Sequence, residues 1–392
     1  MGSFSRYNRG MDYDVVIIGA GFFGATLAER LANDAQKRVL IIDRRSHLGG
    51  NSFSEKCIKT GIEVHRYGSH IFHTKNKKVW DYVNQFTSFN RYKHQVLSQT
   101  TSKVYQFPPN LTTLMSFYPD IKGNDNRAKA LLAGFSERYP NPKNLLEKGY
   151  ALVGKPLFDA LYAGYTEKQW GRPLDQLPAS IINRIPVRTD FFQYYFDDPY
   201  QGIPIEGYGA IFRRMLADTR INTLTGTAHK KLFQGTSICD GDPLVIYTGP
   251  LDEYFNFCEG RLSWRSLRFE ETIYDTADYQ RIAVINHPDR DVPYTRTHEF
   301  RHYAPDQYEG LNKTVVYREY PIAPAEPKDF YYPVRGESDL VLYSKYRDRA
   351  KVLQEQTGKF FWGGRLADYK YYDMDATIAA ALSLYEKLKT LS

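Results

Sequence analysis

The run Asp12-Tyr13-Asp14-Val15-Val16-Ile17-Ile18, followed by Gly19-Ala20-Gly21-Phe22-Phe23-Gly24, decides the fold. Its first half is short, apolar and β-branched, the composition of a parallel strand buried on both faces. Its second half is a GxGxxG turn. A helix pattern follows from Ala25 to Asn33, with Leu27, Ala28 and Leu31 on one face, and then a second buried strand, Arg38 to Asp43. This βαβ order places the two strands side by side and parallel. Asp43 stands 19 residues after Gly24, close to the roughly 20 residues that separate a dinucleotide-binding turn from its ribose acid. Gly19 permits the tight turn, Gly21 lets the backbone approach a pyrophosphate, and Gly24 lets helix and strand pack closely. The helix start offers unpaired N–H groups and a positive dipole end to phosphate.

That motif alone suits NAD or FAD. The stretch Asp43-Arg44-Arg45-Ser46-His47-Leu48-Gly49-Gly50-Asn51 favours FAD. A second glycine pair soon after the ribose acid suits an extended dinucleotide, with backbone N–H groups free to reach its phosphate region. Near the other end, Gly363-Gly364-Arg365-Leu366-Ala367-Asp368 precedes a helix whose start could meet the ribityl chain or flavin ring.

Composition excludes several classes. The chain has 392 residues, 42% hydrophobic and 25% charged, the balance of a folded globular protein of two or three structural units. Cys57, Cys239 and Cys258 are too few and too scattered for a disulfide framework or a zinc motif, which suits a reducing compartment. No apolar run approaches the ~20 residues that span a bilayer, and a cytoplasmic location is expected. The opening Met1–Gly10 lacks the apolar segment of a secretory signal and reads as a remnant before Met11. The net charge of +7 suits an anionic ligand; without a basic run or recognition motif it does not indicate nucleic acid. With 32 Tyr and 23 Phe, the chain is rich in the flat, hydroxyl-bearing faces that suit nucleobases, sugars and phosphates.

Further along, Leu145 to Ala163 reads as one or two helices. Recurring prolines between Leu174 and Tyr208 disfavour long helices. Alternating stretches between Leu262 and Tyr320 predict an antiparallel sheet. Lys359–Gly364 reads as a last strand and Ala376–Leu388 as a closing helix.

In order along the chain stand GAGFFGA at Gly19, LGGNS at Leu48, HRYGSHIFHT at His65, FPPNLTT at Phe107, GYTEKQWG at Gly164, RIPVR at Arg184, YQGIPIEGY at Tyr200, YTGPLDEYF at Tyr247, VPYTR at Val292, FYYPV at Phe330 and GGRLADYKYYDMD at Gly363. Through these the sequence resembles the bacterial UDP-galactopyranose mutases from Met11 to about Leu388. The resemblance implies an isomerase that interconverts UDP-galactopyranose and UDP-galactofuranose for cell-surface polysaccharide. It implies FAD, active when reduced, whose N5 would displace UDP and form a covalent flavin–sugar adduct while the ring opens and recloses. Another nucleotide sugar, such as UDP-N-acetylgalactosamine or a dTDP-deoxysugar, is the alternative substrate; a flavin amine oxidase-like oxidoreductase is the alternative enzyme. A homodimer is expected, with no nucleic acid and no membrane insertion.

The implied fold is α/β: a Rossmann-like FAD-binding domain with an inserted helical domain and an antiparallel β-sheet domain. The first comprises residues 11–85, 205–260 and 355–392. Residues 86–180 form the helical insertion, leading into a mobile loop at about 171–188. Residues 181–204 and 261–354 form the substrate domain.

The resemblance also assigns roles. Arg188 and Arg296 are the diphosphate arginines, suited to a dianionic leaving group by paired, charge-assisted bonds. With His70 and His73 they make the catalytic set; no metal is expected from histidines spaced as these are. Gly19, Gly21, Phe22, Phe23, Gly24, Asp43, Arg44, Gly50, Asn51, His65, Gly364, Arg365, Asp373 and Met374 hold the cofactor. The substrate set is Asn110, Leu161, Tyr162, Tyr165, Thr166, Trp170, Arg188, Tyr195, Asn286, Arg296, Tyr332 and Tyr371, with Tyr165 and Trp170 at the uridine. Three departures stand out: Ser69 where members carry Ala or Pro, Leu161-Tyr162 where some carry a Phe pair, and Phe300 where many carry His.

Overall fold

The computed structural model describes residues 13–228, 243–324 and 329–390. Met1–Gly10, Met11 and Cys239 lie outside the described residues. Cys57 is buried and Cys258 exposed, both as free thiols. Among the described residues no helix is long and apolar enough to cross a membrane.

The N-terminal run builds a five-stranded parallel sheet in the order β16-β10-β1-β2-β9, from β1 (Val15–Ile18), β2 (Val39–Ile42), β9 (Ile221–Leu224), β10 (Leu244–Tyr247) and β16 (Phe360–Trp362). All four residues of β1 are buried, because both sheet faces are covered. Val15 and Ile17 face the helices Phe22–Asn33 and Met374–Lys389, where Leu27, Ala28, Leu31, Ile378, Ala381 and Tyr385 close one core. Val16 and Ile18 face the opposite way, onto Tyr346 and Ala350 of helix Glu337–Thr357. The period-2 alternation of the strand thus feeds two separate cores, each buried aliphatic contributing about 1.5–3 kcal/mol.

A second sheet of seven strands runs β15-β11-β14-β13-β12-β6-β7. Its members are β6 (Val96–Gln99), β7 (Val104–Phe107), β11 (Trp264–Tyr274), β12 (Val284–Asn286), β13 (Arg296–Glu299), β14 (Thr314–Ile322) and β15 (Tyr332–Pro333). Two ribbons, β3 (Ser54–Lys56) with β4 (Glu63–His65) and β5 (Phe72–Thr74) with β8 (Tyr200–Gly202), bridge the sheets.

The structure corrects the sequence-based division in three places. Strands β6 and β7 come from the stretch expected to be helical insertion, and β6 pairs with β12 in parallel, so the second sheet is mixed. Helix Glu337–Thr357, assigned to the substrate domain, covers the nucleotide sheet. The first part of the expected mobile loop is anchored: Leu174, Leu177 and Ile182 are buried, and the Leu145 N–H donates to the Leu177 carbonyl at 2.9 Å. The prolines there do limit helix to 3-10 turns, Leu174–Gln176 and Ala179–Arg184. Smaller shifts follow from local chemistry. The first helix starts at Phe22 rather than Ala25. The 145–163 stretch is broken at Gly154, whose φ of +75° ends helix Leu145–Val153 before Lys155–Phe158 begins.

Candidate active site

A cavity of about 410 Å³ opens over the glycine turn and reaches the face of the second sheet. Its floor is backbone. Gly19 has φ +111°, and a Cβ there would lie 1.9 Å from Thr248 Oγ1; a Cβ on Gly24 would lie 2.0 Å from the Gly19 carbonyl oxygen. Gly21 instead faces open space, with nothing within 4 Å of such a Cβ. Helix Phe22–Asn33 starts there with no side-chain cap, so its first N–H groups remain available. Asp43 is pinned at the end of β2, accepting from the Ala20 N–H at 2.8 Å and the Arg45 N–H at 2.9 Å. The second glycine pair backs onto the first turn, the Gly49 N–H donating to the Ala20 carbonyl at 2.8 Å. Asn51 donates to the Phe330 carbonyl at 3.2 Å, and Arg44 lies 3.6 Å from Glu253.

The C-terminal glycines close the other side. A Cβ on Gly363 would lie 2.3 Å from the Phe23 ring, and Gly364 has φ +91°. Asp373 precedes the uncapped start of helix Met374–Lys389. Phe22, Phe23, Gly50, Gly364, Arg365, Asp373 and Met374 all line the cavity, and Arg365 Nε is buried without a hydrogen-bond partner. Two uncapped helix starts and three glycine turns facing one space fit an extended dinucleotide.

At the far end, three strands set side chains in a row. Asn286 on β12 is directly opposite Arg296 on β13, which is directly opposite Glu319 on β14. Arg296 Nε donates to Asn286 Oδ1 at 3.3 Å, its Nη1 lies 3.9 Å from Glu319 Oε2, and its guanidinium sits 5.5 Å from the Tyr165 ring centroid. Burial opposes the charge on Arg296, but Tyr165, Glu319 and Tyr332 outweigh it and hold the guanidinium protonated. Burial likewise opposes the Glu319 carboxylate, yet Arg296 and His298 keep its pKa below the usual range. Beside the row, Tyr332 and Tyr371 stack with centroids 5.7 Å apart, Arg365 lies over the Tyr371 ring at 4.5 Å, and Trp170 approaches Tyr332 at 6.4 Å.

Histidines form the remaining wall. His70 Nδ1 meets the Gly68 carbonyl at 2.7 Å, which makes Nδ1 the donor and Nε2 the acceptor of a neutral ring. Burial pushes its pKa down to about 4, against the Gly68 bond. His73 bonds Asp198 at 2.5 Å and stacks on Phe196.

Several residues expected in the site lie outside the cavity wall. His65 is 2% exposed, one layer behind, its Nδ1 accepting from the His70 N–H at 3.0 Å. Leu161 and Tyr162 are buried in the second core, where Tyr162 stacks on Phe158. Asn110 caps helix Leu111–Phe117, its Oδ1 accepting from the Thr113 N–H. Arg188 donates to the Tyr195 carbonyl at 3.1 Å and lies over the Phe192 ring; only Tyr195 of that pair reaches the cavity. Tyr165, Thr166 and Trp170 share the helix Gly164–Trp170, and none of the three is part of the wall.

The structure adds wall residues absent from the expected set: Ser69, His94, His298 and Glu319. His298 was within reach of the sequence, since on a strand it must share a face with Arg296 two residues earlier. Glu319 was not, because its place depends on the register of β13 against β14.

Comparisons with known proteins agree with this layout. Residues 17–86 match an NAD(P)-binding Rossmann-like domain, and residues 160–371 match the UDP-galactopyranose mutase family. The chain is 36% identical to the dTDP-fucopyranose mutase of Escherichia coli, over 94% of this chain and 96% of that one. It is 38% identical to the probable UDP-galactopyranose mutase of Klebsiella pneumoniae, over 94% and 93% respectively. A crystal structure of reduced UDP-galactopyranose mutase superposes with a TM-score of 0.73 over 98% of this chain and 95% of that one, at 14% identity, a likeness of fold.

Proposed function

The chain belongs to the UDP-galactopyranose mutase family of isomerases, and we propose that it interconverts UDP-galactopyranose and UDP-galactofuranose using reduced FAD. The observation that carries this reading is the single cavity joining the glycine cradle to the Asn286–Arg296–Glu319 row. Reduced flavin, when bound, supplies the nucleophile that holds the anomeric carbon while UDP is away.

The protein's own residues do the rest. Gly21, Gly50 and the two helix starts take the cofactor phosphates, and Asp43 takes a ribose. Arg296, held charged, meets the diphosphate of the departing UDP, with the Tyr332 and Tyr371 hydroxyls beside it. Tyr165 and Trp170, beside Arg296 and Tyr332 just outside the cavity wall, offer the uracil a flat face. Arg188 joins the diphosphate only after leaving the Tyr195 carbonyl, which requires the chain after the anchored Ile182 to move inward. Closure would keep water from the reacting carbon.

The similarity to a dTDP-sugar mutase, as extensive as that to the UDP-sugar enzyme, supports a second substrate reading within the same chemistry. UDP-N-acetylgalactosamine is a further candidate. The test is direct. Purified protein should be yellow, and under dithionite it should convert UDP-galactofuranose to UDP-galactopyranose; dTDP-fucose and UDP-N-acetylgalactosamine run in parallel rank the sugars. Equal turnover by fully oxidised enzyme in air would refute the flavin role. A cytoplasmic homodimer belongs to the same proposal, and size-exclusion chromatography checks the assembly.

A further inference from the structure

The strand face that carries Arg296 also carries a relay that ends on a serine. Ser69 Oγ lies 2.6 Å from His298 Nδ1, and His298 Nε2 lies 3.1 Å from Glu319 Oε2. Tyr303 donates its hydroxyl to Ser69 Oγ, and Thr295 donates to Glu319 Oε1 at 3.2 Å. His298 and Glu319 are 0% and 1% exposed, yet Ser69, His298 and Glu319 all border the cavity.

The donors along this chain have one consistent direction. Glu319 can only accept while ionised, so His298 carries its proton on Nε2 and offers a lone pair at Nδ1. Ser69 therefore donates to His298, accepts from Tyr303, and has one lone pair left for the cavity. A sugar hydroxyl is the donor that would fill it. Ser69 is one of the three places where the sequence departs from the pattern it resembles, and its partner His298 was unassigned by that pattern.

We propose that Ser69, His298 and Glu319 form the proton relay for the two sugar oxygens that exchange at the anomeric carbon, protonating the one that leaves on ring opening and deprotonating the one that recloses the ring, an inference that rests on the mutase reading above. On closure the sugar O–H bond breaks as its proton passes to Ser69 Oγ. The electron pair left on the sugar oxygen becomes its new bond to the anomeric carbon. Ser69 gives its own proton to His298 Nδ1, and the imidazolium is balanced by Glu319. Ring opening comes first in a turnover and draws on a relay that has taken up one proton from solvent at His298 Nδ1, balanced by Glu319. Ser69 gives its proton to the ring oxygen as that oxygen's bond to the anomeric carbon breaks, and takes the His298 Nδ1 proton in its place. Closure reloads the relay, so no proton is gained or lost over a cycle. Ser69 is the catalytic residue, since it touches the sugar; His298 and Glu319 act through it.

The experiment uses the reduced holoenzyme with UDP-galactofuranose. Ser69→Ala and His298→Gln should each lower kcat about 100-fold, with KM within twofold and flavin content unchanged. The double variant should be no slower than the slower single one, because the groups act as a unit. Ser69→Thr, which keeps the hydroxyl, should recover most of the rate. In nitrogen-15 spectra, His298 should show the Nε2–H tautomer, and Glu319→Gln should perturb it. If His298→Gln does not fold, Ser69→Ala and Ser69→Thr decide alone. A Ser69→Ala enzyme within twofold of wild-type kcat, or additive losses in the double variant, would overturn the relay. A wild type inactive on every nucleotide sugar tried would instead defeat the mutase reading.

Discussion

The two ends of the cavity are built by different means. At the cradle, the binding groups are backbone N–H groups and glycine gaps, and the first turn, its strand and its acid lie within Val15–Asp43. At the sugar end the groups are side chains brought from β12, β13 and β14, with Tyr165 of the Gly164–Trp170 helix behind Arg296. The first end depends on what is absent, a Cβ; the second depends on register. Substitutions should therefore fail differently at the two ends, and this contrast can be broken experimentally.

The largest effect belongs to the cradle. A Cβ on Gly24 would meet backbone, the Gly19 carbonyl oxygen. Neither helix nor strand can yield without opening the sheet core, so Gly24→Val should abolish soluble folded protein or lower stability by several kcal/mol, of order 3–5. Gly21→Val meets nothing in the empty cradle. It should keep its melting temperature as apoprotein while losing bound flavin at least tenfold. Two variants that lost fold and flavin together would show that the cradle is not separable from the core.

Next comes the sugar end. Arg296→Ala should keep flavin, since no cradle contact is touched, and lower kcat by two to three orders of magnitude, about 3–4 kcal/mol of transition-state stabilisation. Flavin absorbance per protein and steady-state kinetics read both. Loss of flavin in this variant would join the two ends that the structure keeps apart.

The same contrast explains what the sequence disclosed. Gly19, Gly21, Gly24 and Asp43 could be read because their task is local: turn, gap, packing and spacing within one βαβ unit. Arg296, Tyr332 and Tyr371 were reached only through resemblance, and the structure places all three at the wall. Asn110, Leu161 and Tyr162 lie off the wall, because a motif gives identity without direction; Asn110 caps a helix and the other two face the core. Strands β6 and β7 were hidden in a stretch whose neighbours are helical, and their pairing with β12 joins residues far apart in sequence. Glu319 needed a register no single sequence supplies.

A smaller effect concerns Arg188, the group the structure holds off the wall. Amides of Leu174–Ile182, tied to the core, should already be protected from hydrogen exchange without ligand. Saturating UDP should raise protection after Ile182, through about residue 196, and leave the anchored turns unchanged. Arg188→Ala should abolish none of the flavin signal and reduce turnover less than Arg296→Ala if closure is transient. Equal protection throughout 171–196 with and without UDP would leave a rigid connector and remove Arg188 from the site.

The smallest effect is on acid stability, and it too should come from the sugar end. His94 is 6% exposed and borders the cavity. Its Nδ1 pairs with the Tyr92 hydroxyl at 3.0 Å. Burial pushes its pKa down to about 3, with Arg296 and His298 adding to the shift. The unfolded chain, with an ordinary value near 6.5, therefore binds more protons between pH 6.5 and 3, and folding stability rises with pH across that window. The contribution is complete above pH 6.5 and is lost progressively as the pH falls. His94→Phe removes the titration and also the Tyr92 bond, costing about 1 kcal/mol at pH 7. Its melting temperature should then fall less steeply than wild type between pH 6.5 and 4. Hydrogen exchange at pH 5 should locate the loosening in 92–99 and 284–300, while Val15–Ile42 stays protected. A wild type and a His94→Phe variant with parallel pH slopes would place the acid sensitivity elsewhere, and loss of protection first at Val15–Ile42 would move it to the cradle.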